Sequence, residues 1–148
     1  MPLSILADTS LKMTNKITFV FILTATCILT SCSSSININD YVEKNSPFIL
    51  TLNKTDLATG LTKSSKTNIP VNSDKHLNLI NWFDKHRNGW QPMPASYVTY
   101  ISVTQGAFRL LYDNHGDGVI IGFIDKDKKA RQYSKTIEKG ELDFLISY

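Results

Sequence analysis

Residues 17–30 form an unbroken run of fourteen uncharged residues, all Ile, Thr, Phe, Val, Leu, Ala or Cys, with Lys12 and Lys16 just ahead of it. As a helix this run spans about 21 Å at 1.5 Å per residue, short of the roughly 30 Å hydrocarbon core of a bilayer. A basic start followed by a short apolar stretch is the layout of a secretory signal peptide. Residues 1–31 are therefore set aside as a leader, and Met13 is a second candidate start because Met13-Thr14-Asn15-Lys16 opens it compactly. Whatever folds must come from the remainder.

The run ends in Leu29-Thr30-Ser31-Cys32. An aliphatic residue, two small residues and a cysteine in this order resemble the lipobox of bacterial lipoproteins. The resemblance implies cleavage after Ser31, a diacylglycerol on the Cys32 thiol and an acyl chain such as palmitate on the new amino terminus. Two or three chains hold a protein stably where one holds it marginally. Enterobacterial lipoproteins retained in the inner membrane have an aspartate where this chain has Ser33. The resemblance therefore implies an outer-membrane lipoprotein facing the periplasm. It covers the leader alone.

Composition narrows the chemistry. The two cysteines are Cys27, in the leader, and Cys32. A lipidated mature chain then has no thiol for nucleophilic, redox or zinc chemistry. A hydrophobic content of 42% suits one folded domain, and a net charge of +3 is too small and scattered to point to nucleic acid.

Residues 32–46 are small and polar and read as a lipidated tether, leaving 47–148 as a single globular domain. A strand is expected over 47–52, with Phe48, Leu50 and Leu52 on one face. Residues 53–71, rich in Thr, Lys, Ser and Asn, read as a long connection. A helix opens at Asn72-Ser73 and runs to about Arg87, with Leu79, Ile80 and Phe83 on one side and Asn88-Gly89 as its stop. Period-two strands follow over 97–103, 107–112, 119–124 and 131–134, and a short terminal helix over 141–146. The expected fold is α+β: an antiparallel sheet of four to five strands, one main helix on one face and a short C-terminal helix.

Candidate site residues are few. Asp113-Asn114-His115-Gly116-Asp117-Gly118 has turn chemistry; it fails as a calcium loop because its third position is His and its twelfth is Ile124. His115 with Asp113 or Asp117 is still the best nucleus for a small periplasmic hydrolase. His76 and His86 are expected on the solvated side of the helix, and Glu138 and Glu141 as solvated charges. Neither GxSxG nor SxxK occurs in the mature chain. Trp90, beside Pro92 and Pro94, Tyr97, Tyr100 and Arg109 suit a protein-recognition patch, with His115 and Asp117 nearby. The favoured expectation is a membrane-anchored lipoprotein whose domain binds or inhibits another envelope protein, without enzymatic activity, metal or cofactor. Hydrolysis at His115 and a structural, peptidoglycan-contacting role are the alternatives.

Overall fold

Period-two patterning builds one sheet. The computed structural model describes residues 33–94, 99–113 and 115–147. Its seven strands are β1 (Phe48–Thr55), β2 (Thr62–Ile69), β3 (Gln91–Pro92), β4 (Ile101–Gln105), β5 (Phe108–Tyr112), β6 (Gly118–Ile124) and β7 (Ala130–Thr136). They are ordered β2-β1-β4-β5-β6-β7-β3, every pair antiparallel. The register lines up Leu50, Val103, Leu110 and Ile121 across four strands, and all four are buried. Each such side chain is worth about 1.5–3 kcal/mol of burial.

Helix α1 (Asp74–Lys85) covers this inner face. Ser73 caps it, its hydroxyl accepting the His76 amide at 3.3 Å. Phe83 drives the docking, edge-on to Phe48 of β1 (6.1 Å) and Phe108 of β5 (5.4 Å). The chain leaves the helix through Gly89, whose φ of +86° an L side chain would resist, and delivers Trp90 into the core. Among the described residues no helix is long and apolar enough to cross a membrane.

The structure departs from the expected layout in four places. The sheet has seven strands, not four to five: residues 53–71 are no loose connection but hold the end of β1 and all of β2, and Gln91–Pro92 adds the short β3 beside β7. Seven of the eight β2 residues are exposed, so that strand lacks the apolar alternation that marks a half-buried one. The C-terminal helix is only a 3-10 turn (Asp143–Leu145), which seats Leu142 and Leu145 in the core at i,i+3 spacing. The expected strand over 97–103 begins at Ile101; residues 95–98, Tyr97 included, lie outside the described residues.

The fourth departure is the tether. Its described residues pack instead of standing in solvent. Ser34 forms a two-way backbone bridge with Trp90 (2.7 and 3.3 Å), and the Ile36 amide donates to the Arg87 carbonyl at 2.7 Å. Ile36 and Ile38 are buried, and Tyr41 stacks on Phe123 at 3.7 Å. The Gln105 side chain accepts the Glu43 amide at 2.6 Å and donates to the Ser46 carbonyl at 2.9 Å. Apolar residues at 36 and 38 pull the segment into the core at the cost of its freedom. The unit Ser33–Tyr148 thus contains every described core side chain.

Candidate functional site

Among the described residues the expected recognition patch does not assemble. Trp90 is fully buried, donating its indole N–H to the His86 carbonyl at 2.6 Å, so it cannot serve as an exposed anchor. The Gly89 turn aims it inward, where its area is worth more than on the surface. Tyr100 packs partly against the same core. Arg109 points from the opposite, outer face of β5, lies across Gly122 and donates to Gln132 Oε1 at 2.5 Å. Cys32 and Ser31 lie outside the described residues.

His115 and Asp117 sit exposed in the β5–β6 turn. Asp113 Oδ1 accepts the His115 backbone amide at 3.0 Å, and the Asp117 carbonyl accepts the Ile137 amide at 2.7 Å. The first bond shapes the turn, and the second extends the β6–β7 pairing one step beyond Gly118. Among the described residues no three His, Cys, Asp or Glu side chains converge to hold a metal.

Ionisable groups converge where they were not expected, at the C-terminal end of α1. His76 and His86 are not on the solvated side: His76 is buried against Phe48, and His86 stacks flat on Trp82 at 4.3 Å. Glu141, expected to be solvated, has its Oε1 accept both His86 Nε2 (2.6 Å) and the Trp82 indole N–H (3.1 Å). Burial pushes the His86 pKa down, and Lys135 adds to that against the opposing pull of Glu141. That direction favours the neutral ring, for which the contact is an N–H···carboxylate hydrogen bond. Burial likewise lowers Lys135, whose ammonium lies 5.8 Å over Trp90.

This cluster resembles an acid–base dyad in composition and a fastening in geometry. The second imidazole nitrogen, Nδ1, is buried with no hydrogen-bond partner. With Nε2 engaged by Glu141 and one ring face under Trp82, no nitrogen is open to a substrate proton. Its work is to tie the C-terminal segment to the helix. Tyr112, donating to Asp143 at 3.0 Å, and Lys75, donating to the Leu145 carbonyl at 3.0 Å, add two more ties.

The most exposed organised feature is the β1–β2 arm. Pairing of β1 with β4 stops at Leu52, so the arm runs on three more residues, about 10 Å at 3.3 Å each, before its turn. The Asp56 amide donates to the Leu61 carbonyl at 2.9 Å. In an antiparallel ladder hydrogen-bonded pairs alternate, so the next ones are Lys54↔Lys63 and Leu52↔Ser65. The Asn53 amide agrees, donating away from β2 to the Tyr100 carbonyl at 2.7 Å. It follows that the amides of Ser64, Lys66 and Asn68 point to the outer edge of β2, where no described strand pairs with them. At the tip, Leu57 and Leu61 are 98% and 66% exposed. A shallow hollow of about 600 Å³ there is lined by Lys54, Thr55, Asp56, Leu57, Ala58 and Lys63. The β-favouring Thr62 and Thr67 and the Asp56…Gly60 turn were the available sequence signals for this arm. Comparison with known protein families, with curated proteins and with solved structures finds no match to the chain.

Proposed function

We propose that the chain is a bacterial lipoprotein, cleaved after Ser31 and held to an envelope membrane, by preference the outer one, through lipid on Cys32. Its single domain binds another envelope protein, in the manner of an inhibitor or immunity protein, by accepting an extended segment of that partner against β2. The observation that carries this reading is the β2 edge, which no described strand pairs with: eight regular residues, seven exposed, with outward amides at Ser64, Lys66 and Asn68. Strand addition draws affinity from such main-chain groups and specificity from alternate side chains. Lys63 and Lys66 favour carboxylates on the added strand. They also disfavour self-pairing, since an antiparallel copy centred on Lys63 or on Lys66 would set that lysine against its own counterpart.

The packed N-terminal segment fits the same reading. Ser33 is the only residue between Cys32 and the Ser34–Trp90 bridge. Acylation at Cys32 would hold the domain flush with the membrane and limit it to partners lying there. The test uses the unit Ser33–Tyr148 as bait for envelope fractions, in wild-type form and as Ser64→Pro. Proline removes an outward amide without breaking a β1–β2 backbone bond; the bond from the Ser64 hydroxyl to Asn53 Oδ1 (2.7 Å) goes with it, and Ser64→Ala controls for that loss. A partner retained by the wild type and lost at least tenfold by Ser64→Pro, with the fold intact, is the expected result. Equal retention by both overturns the strand-addition reading. Palmitate labelling of the full chain that vanishes in Cys32→Ser tests the anchor separately.

A further inference from the structure

The tip of the arm carries a feature that strand addition leaves unused. Leu57 and Leu61 stand out in water, and the turn beneath them is internally satisfied. The Asp56 carboxylate accepts the amides of Ala58 (2.8 Å) and Thr59 (3.2 Å), the Gly60 amide donates to the Asp56 carbonyl at 2.8 Å, and the Asp56 amide reaches Leu61. Asp56 is the tip's only acid, and it is spent inside the turn. Just behind it, Lys54 and Lys63 are directly opposed across the hairpin, like charges on one face. No carboxylate among the described residues forms an ion pair with either. An apolar point with bonded amides, collared by two unneutralised ammonium groups, suits a surface that is apolar inside and anionic at its boundary.

We infer that the arm tip is a membrane-surface contact: Leu57 and Leu61 enter the interfacial layer of a bilayer, and Lys54 and Lys63 meet its anionic headgroups. A bilayer interface accepts this arrangement without shape complementarity or directional bonds. An acidic protein cleft would be expected to use free turn amides, and five of this turn's are already engaged. The inference stands on the tip, independently of Cys32 acylation and of the β2 edge. Together with a lipid anchor it would supply a second membrane signal and fix which way the domain faces.

The test is flotation of the unit Ser33–Tyr148, which holds the whole described core, with vesicles of phosphatidylcholine alone and with 30 mol% phosphatidylglycerol. Binding is expected only with phosphatidylglycerol. It should fall about fivefold for each of Lys54→Gln and Lys63→Gln, and be lost in Leu57→Asp. Leu57 is nearly fully exposed, so its replacement leaves the fold standing, as circular dichroism would verify. Leu57→Cys, the sole thiol in that unit, labelled with an environment-sensitive dye, should shift to the blue on anionic vesicles. Binding that survives Leu57→Asp, or no binding to anionic vesicles, overturns the inference. So does a tip that is needed only for protein capture. None of these touches the effect of Ser64→Pro on partner capture, so the two proposals fail separately.

Discussion

Glu141→Ala should cost more stability than any other single change to an ionised side chain. The carboxylate is the shared acceptor for Trp82, 3.1 Å away and 5% exposed, and for His86, 2.6 Å away. Its loss leaves the buried indole N–H without an acceptor, at about 1–3 kcal/mol. The charge-assisted imidazole bond is worth about 1.5–3 kcal/mol when fully dry. His86 and Glu141 side chains are 15% and 26% exposed, so water recovers roughly half of that. The sum is about 2–4 kcal/mol, a fall in Tm of roughly 8–16 °C for a domain of this size. Glu141→Gln keeps one acceptor oxygen and should lose only about 1 kcal/mol. Urea titration followed by near-ultraviolet circular dichroism of the tryptophans measures both. A loss below about 1 kcal/mol for alanine, or glutamine as damaging as alanine, would refute the fastening role.

The same cluster predicts a pH dependence. The folded-state pKa of His86 lies below its unfolded value, so the unfolded chain binds more protons in that window. Its contribution is complete above about pH 6.5 and is lost as pH falls toward the folded pKa, a slope that His86→Gln should remove from the urea midpoint. Trp90→Ala should cost about 3–5 kcal/mol, through the cavity it opens, in chemical denaturation. His115→Ala, at an exposed turn position, should change stability by less than about 0.5 kcal/mol, read from the same curves.

What the sequence revealed and what it hid divide along physical lines. Phe48 and Leu50, the Ser73 cap and the strands at 108–112 and 118–124 were legible because local propensity and burial agree there. Asp84 and Arg87, three apart across the end of the helix, pair at 2.6 Å, a contact their spacing allows. β2 was not, because a strand exposed on both faces carries no apolar rhythm and is held by its neighbour's backbone. Ile36 and Ile38 were visible as an alternation, but their polar neighbours argued for solvent, and only the tertiary position of Trp90 and Arg87 decides otherwise. The Trp82–His86–Glu141 cluster joins residues 59 apart in sequence, a separation no local pattern encodes. Trp90 was read from its prolines, which say that the chain turns but not which way the ring goes.

Residue-resolved amide exchange on Ser33–Tyr148, free and with the captured partner, would decide most about the arm. In the free protein the amides of Ser64, Lys66 and Asn68 should exchange fast, while those of Lys63, Ser65 and Thr67, donated to β1, are slower. Partner binding by strand addition should protect the first set selectively. Protection confined to other elements, with Ser64, Lys66 and Asn68 still exchanging freely, would contradict it.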